Sequence, residues 1–215
     1  KVANVVPVAL SETVQETIEK EYRIEKSKIP VIFNGIDLSR CKVKEDYTVK
    51  GRLKILHIGR FSEAKNHIGL MKAFGMFHEE YPNSTLQLIG DGETRGHIEE
   101  YVREHGLSDS VEFLGLQSDV YGFLHDADIF TLPSLYEGIP MTLIEAMGTG
   151  LPIVATAVGG IPDMLKDGEN AILTALDAEE IGKAFLRYAK DENLRRLHGE
   201  KAKERSALFS AQSMA

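Results

Sequence analysis

One cysteine, Cys41, is all that this chain of 215 residues contains. A single thiol cannot form an internal disulfide, so the expectation is a reducing compartment, and Cys41 reads as a packing residue rather than a nucleophile. Long apolar runs are missing too. None approaches the roughly 18 residues of a membrane-spanning helix, and nothing at the start reads as a secretory signal. The chain opens at Lys1 rather than Met, directly on a strand-like run, as a fragment or a processed chain would. Basic residues are in the minority, 25 Lys and Arg against 33 Asp and Glu. A net charge of −8 argues against nucleic acid, whose binding needs a concentrated basic surface. None of the 7 histidines pairs with another His, Cys or acid at metal spacing. There is no nucleophile elbow in a Ser-His-Asp order. Gly90-Asp91-Gly92 with Gly96 misses the dinucleotide fingerprint by one position.

What is present is an alternation of short apolar runs and helical patterns. Hydrophobic residues make up 43% and charged ones 27%, ordinary for a globular protein. Val2 to Ala9 reads as a buried strand, and Ser11 can cap a helix carrying Val14, Ile18 and Tyr22. Lys28 to Phe33 reads as a second strand, closed by the turn signal Asn34-Gly35. Ser39 to Gly51 is polar and charged, a linker. From there strands are expected at 53–58, 85–89, 111–114, 129–132, 153–155 and 171–173. Helices are expected between them, including one over 119–125 capped by Ser118 and a short one started by Pro162, and charged amphipathic helices over 178–205. Continuous apolar strands alternating with helices mean an α/β fold, a parallel sheet covered on both faces. Ligands of such folds bind beyond the carboxyl ends of the strands.

The loops at those ends carry the chemistry. In Gly59-Arg60-Phe61-Ser62-Glu63-Ala64-Lys65-Asn66, Gly59 allows a tight turn and two cations precede a helix. Arg60 and Lys65 are either two solvated cations at a helix start or a grip on a diphosphate, and since cations oppose the dipole there, something anionic should offset them. The richest stretch runs from Asp128 to Asp163. It holds Glu137-Gly138-Ile139-Pro140, then a helical pattern over Met141 to Met147 with a second acid, Glu145. Pro140 suits a first helical turn and leaves the amides of Met141, Thr142 and Leu143 as an anion site. Glu145, in an apolar helix, is either a capped or salt-bridged carboxylate or a grip on ligand hydroxyls. His57 reads as a core residue, and Tyr136 as a core, rim or ligand-stacking tyrosine.

Glu137 and Glu145, eight positions apart, resemble the E-x7-E motif of the retaining group 1 (family 4) glycosyltransferases. The strings Gly148 to Thr156 and Gly159-Gly160-Ile161-Pro162-Asp163 resemble that family too, as does Gly59-Arg60 to Lys65 with its donor-phosphate motif. The likeness implies a GT-B fold, two Rossmann-like domains across a cleft, of which this is the C-terminal donor-binding domain. By it, residues 1–37 are the last strand-helix-strand of a truncated N-terminal domain, 38–51 a linker and 52–215 the nucleotide-sugar-binding domain. It implies a hexosyltransferase that moves a sugar from a nucleotide-diphosphate donor with retention. Arg60, Lys65 and Glu137 would then be catalytic. Gly59, Gly90, Gln117, Gly138, Ile139, Pro140, Met141, Thr142, Leu143 and Glu145 would bind donor: Gln117 the base, Glu145 the ribose and Glu137 the sugar. No cofactor and no metal are implied. The acceptor, a glycan, lipid or small molecule, would sit on the missing N-terminal domain, in the cytoplasm or at the inner face of the membrane. The fragment itself would bind donor weakly and transfer nothing. A GT-B epimerase or phosphorylase and a non-catalytic nucleotide-binding module remain as alternatives.

Overall fold

A computed structural model describes residues 6–10, 12–32 and 34–214, with the backbone alone at 213 and 214. Six strands form one parallel sheet: β1 (Leu53–Ile58), β2 (Ser84–Ile89), β3 (Val111–Gly115), β4 (Ile129–Leu132), β5 (Ile153–Thr156) and β6 (Ile172–Thr174). Their order is β3-β2-β1-β4-β5-β6. The central strands β1, β4 and β5 are almost wholly buried because helices cover both faces, while edge strand β3 is buried only at Val111. α2 (His67–Glu80), α3 (Arg95–Glu104) and α7 (Ala178–Lys190) pack on one side, around Phe74, Phe77 and Phe185. α4 (Tyr121–Asp126), α5 (Met141–Thr149), α6 (Ile161–Met164) and α8 (Glu192–Ser206) pack on the other, around Phe130, Leu143 and Met147. This is a doubly wound α/β domain, as the alternating pattern predicts.

The strand order has a functional consequence. The chain winds outward from β1 through β2 to β3, then returns to place β4 on the other side of β1, with Ile55 opposite Ile129. The loops after β1 and β4 therefore diverge from a common point, the crevice where doubly wound sheets bind ligands.

The amino-terminal part departs from expectation. Val2 to Val5, Phe33 and the proposed cap Ser11 lie outside the described residues. Residues 6–8 form no strand, and Val6 and Val8 are 62% and 46% exposed. Ala9 and Val31 make one isolated parallel bridge, while Lys26–Lys28 is a single 3-10 turn. Two short runs held by one bridge are not a sheet, since a lone pair of strands is marginal in water. The helix forms as α1 (Glu12–Tyr22), but none of its residues is buried and Tyr22 is exposed. The polar 38–51 segment packs closely against the sheet domain. Tyr47 is buried, its hydroxyl donates to the Gly150 carbonyl at 2.8 Å, and its own carbonyl accepts from Arg195.

Two starts of helices also differ. Asp119, not Ser118, supplies the first contact of α4, accepting from the Tyr121 amide at 3.1 Å. Pro140 lies one residue before α5, in an extended conformation, as its N-cap. Its carbonyl accepts from the Leu143 amide at 3.1 Å, so that amide is already used. The amides of Met141 and Thr142 have no acceptor among the described residues.

Candidate functional site

The first wall of the site is the loop after β1. It bends at Gly59 and again at Phe61 and Ser62, closes a 3-10 turn at Glu63–Lys65, and enters α2 through Asn66. Asn66 takes a left-handed conformation, and its side chain accepts from the Gly69 amide at 3.2 Å while donating to the Pro133 carbonyl at 3.1 Å. The second bond ties the β1 loop to the β4 loop. A second tie is the Leu135 amide, which donates to the Ala64 carbonyl at 2.8 Å. Lys65 is thereby turned towards the β4 loop, where its ammonium meets the Glu137 carboxylate. Both side chains are largely buried, 20% and 9% exposed.

Glu137 is held from a second side. The Ser134 hydroxyl donates to the same carboxylate oxygen at 2.6 Å, and Ser134 itself is fully buried. The backbone of the acidic loop rests on the turn after β5. Gly159, at φ +54, approaches so closely that a Cβ there would lie 1.8 Å from the Glu137 carbonyl oxygen. The Gly160 amide donates to that oxygen at 3.2 Å. This explains the paired glycines at 159 and 160 by close backbone approach. Ser134 was not among the residues singled out in the sequence. A serine three positions before an acid was the available signal.

Arg60 behaves differently from Lys65. Its guanidinium donates through Nε and a terminal nitrogen to one oxygen of Glu93, at 3.2 and 3.1 Å, and both side chains face solvent. The anionic offset expected for these two cations is thus supplied by the chain's own acids, Glu137 and Glu93. Glu93 belongs to the loop after β2, whose Gly90 lies against the Gly59 carbonyl and could not carry a side chain. Gly59 in turn donates its amide to the Ile89 carbonyl at 3.0 Å.

Arg60, Lys65, Glu137 and the free amides of Met141 and Thr142 stand on loops that meet at the carboxyl edge of β1 and β4. Gly138, with open space where a Cβ would lie, and buried Ile139 connect the acid to the helix. The Ile139 carbonyl accepts from the Asn34 side chain at 3.2 Å. Two expected donor contacts are not joined to this group by any hydrogen bond among the described residues. Gln117 folds its amide back onto the Leu114 carbonyl at 2.6 Å. Glu145 lies half-buried between α5 and α4, where the Tyr121 hydroxyl donates to it at 3.4 Å. Burial pushes its carboxyl above the ordinary glutamate value, moderated by the Tyr121 bond and by the charge of Arg40. Arg40 sits over the Tyr121 ring, 4.7 Å from its centre. Tyr121 and Arg40 were invisible as neighbours of Glu145, 24 and 105 positions away in sequence. Tyr136 is a rim residue, 68% exposed.

Beneath the cations lies a neutral imidazole pair. His57 is fully buried in β1, and its Nδ1 donates to the Thr131 carbonyl at 3.0 Å, leaving Nε2 without a partner. His67 stands edge-on to it, with ring centres 4.9 Å apart, and stacks on Phe61 at 4.2 Å. Burial lowers His57 to about 4 and His67 to about 3, and the Lys65 charge adds to both shifts. Cys41 packs against α5 with its thiol raised to about 11, chiefly by burial, so it is no nucleophile at neutral pH. A concavity of about 730 Å³ lies at the opposite end of the sheet between the 42–50 segment and the amino ends of β1 and β4. Its lysines and acids are balanced in number, so it offers no concentrated charge of either sign.

A sequence profile of the glycosyl transferases group 1 family matches residues 42–205 of this chain. The chain belongs to that family. N-acetyl-alpha-D-glucosaminyl L-malate synthase of Bacillus anthracis is 32% identical over 184 residues, 82% of this chain and 48% of that protein. UDP-Gal:alpha-D-GlcNAc-diphosphoundecaprenol alpha-1,3-galactosyltransferase of Escherichia coli is 29% identical over 196 residues, 84% and 50%. The chain thus spans about half the length of these relatives. Among solved structures, Anabaena Alr3699/HepE in complex with UDP superposes with a TM-score of 0.87 at 23% identity, covering 96% of this chain and 60% of that one. The C-terminal domain of the group 1 protein LpcC of Francisella tularensis gives 0.74 at 22% identity, covering 83% of this chain and all of that domain. Glycosyltransferases of this group share the α/β sheet described above. No helix among the described residues is long and apolar enough to cross a membrane.

Proposed function

We propose that this chain is the donor-binding half of a glycosyltransferase that moves a hexosyl group from a nucleotide diphosphate to an acceptor with retention. The observation that supports the reading is that Lys65, on the loop after β1 that also carries Arg60, meets Glu137 on the loop that leads from β4 to the two unused amides of α5. A helix N-terminus with free amides favours an anion, and two cations beside it suit a diphosphate.

When the glycosidic bond breaks, its electron pair leaves with the diphosphate. Arg60, Lys65 and the Met141 and Thr142 amides stabilise that growing charge, the kind of preorganised electrostatic work usually worth most in catalysis. Glu137, aligned by Ser134 and Lys65, holds hydroxyls of the donor sugar near its anomeric carbon. Glu145 accepts from the ribose, with Tyr121 steering its carboxylate, and the loop at Leu114 to Ser118 faces the base through its backbone. No step calls on a metal. In this reading residues 52–215 form the donor domain, 38–51 the linker, and residues up to 37 part of an N-terminal domain that binds the acceptor. Relatives whose names or structures carry UDP make uridine diphosphate the first base to try.

The test is calorimetric titration of the chain with UDP, GDP and ADP, repeated with Lys65→Ala and Glu145→Ala. Saturable binding of one nucleotide, lost in both variants, supports the reading. Equal binding by the wild type and both variants would overturn it.

A further inference from the structure

The two cations that would face the diphosphate already have partners within the chain. Each is held by an acid, and the charges of Arg60, Lys65, Glu93 and Glu137 sum to zero. The two pairs differ in kind. Lys65 and Glu137 are largely buried, and the Glu137 oxygen that meets Lys65 also accepts from Ser134, so that pair gains little from opening. Arg60 and Glu93 are 72% and 57% exposed, screened by water, and held by one carboxylate oxygen alone. A guanidinium fork satisfied by a single oxygen is under-used. Two phosphate oxygens match it better.

The proximity of Glu93 to Arg60 is built into the backbone. The Phe61 amide donates to the Asp91 carbonyl at 2.9 Å, and the Thr94 amide donates to the Phe61 carbonyl at 3.1 Å. These bonds clamp the 91–94 loop to the residue following Arg60. Phe61 is buried at 1% exposure, which anchors the clamp in the core. Glu93 is thus presented to Arg60 whenever the loop is folded.

We propose that Glu93 is a positioning residue that competes with the nucleoside diphosphate for Arg60. Arg60 leaves Glu93 as the diphosphate binds and returns to it as the diphosphate departs. The competitor weakens the hold on a product that carries the leaving group's charge and speeds its release. This inference rests on the donor-binding reading above and adds a residue to it that neither the E-x7-E stretch nor the Arg60–Lys65 loop contains.

Exposed ion pairs are weak, so removing the competitor should tighten diphosphate binding by about two- to five-fold at low salt. The experiment titrates the chain with UDP, GDP, ADP and inorganic pyrophosphate, as wild type, Glu93→Gln, Arg60→Ala and the double variant. Glu99→Gln is the control, because Glu99 is a partly exposed acid on α3 bonded to Arg95 and not to Arg60. The expected result has four parts. Glu93→Gln binds tighter and releases more slowly. Glu99→Gln does not. The gain disappears in the Arg60→Ala background, and it shrinks in molar salt, where screening acts within about 3 Å. Unchanged or weaker binding by Glu93→Gln overturns the proposal, as does a gain that survives the loss of Arg60 or is matched by Glu99→Gln. If neither the wild type nor Glu93→Gln takes up any of these ligands at millimolar concentration, the donor-binding reading itself fails. That result is distinct, because every other outcome begins from saturable wild-type binding.

Discussion

Lys65→Met isolates the ion pair at the centre of the site. The substitution keeps the apolar stem and removes the ammonium, leaving a carboxylate that is 9% exposed. Fully buried pairs lose about 3–5 kcal/mol when one partner goes, and exposed pairs about 0–1 kcal/mol. Lys65 and Glu137 lie between these limits, and the Ser134 bond at 2.6 Å still compensates part of the charge. The expected loss is therefore about 2 kcal/mol. With a urea slope of roughly 2 kcal/mol per molar, the midpoint falls by about 1 M. Removing the stranded charge as well should recover most of it, so Lys65→Met/Glu137→Gln should be more stable than Lys65→Met alone by about 1 kcal/mol or more. Urea unfolding followed by circular dichroism measures all four corners of the cycle. If Lys65→Met unfolds within about 0.5 kcal/mol of wild type, or if the two losses simply add, the pair is not coupled and the account of the site is wrong.

Two further outcomes follow from the same geometry. Gly159→Ala places a methyl 1.8 Å from the Glu137 carbonyl at a φ of +54, so the acidic loop must move. The variant should lose about 2–4 kcal/mol and most of its diphosphate affinity, and unaltered unfolding and binding would refute the close approach. The buried histidines set the acid side of the stability curve. His57 and His67 are held neutral down to about 4 and about 3, below the ordinary value of 6.5. The unfolded chain therefore takes up protons first as pH falls. Their contribution is complete above pH 6.5 and drains away below it, at up to about 2.7 kcal/mol per pH unit for the two together. Burial raises Glu145 and Asp128, which pulls the other way and softens the slope near pH 4–5. Denaturant midpoints between pH 7 and 4.5 measure the balance, and a flat curve down to pH 5 would show that the rings are not neutral in the fold.

The parts of this protein that the sequence determined are those where the signal is local. The strands from Leu53 onward are mostly apolar runs, and the helices after them repeat at helical spacing, because helices cover both faces of the sheet. The acid loop, the proline before α5 and the cation loop were legible for the same reason: a handful of adjacent residues carries each. The amino-terminal runs misled, because Val6 and Val8 look like core residues but have no layer to be buried against among the described residues. What only the tertiary structure decided is which loops meet. Placing β4 beside β1, with Leu56 opposite Phe130, brings Lys65 to Glu137, residues 72 positions apart. The same arrangement assigns Ser134 to the acid, Glu93 to Arg60 and Tyr121 to Glu145. Pairing of this kind is set by strand order and by the close backbone approach at Gly90 and Gly159. Neither has a period or a spacing in the sequence. They arise when sheet and helices close over a common core, and the charges are then brought together by a scaffold that the local patterns build but do not order.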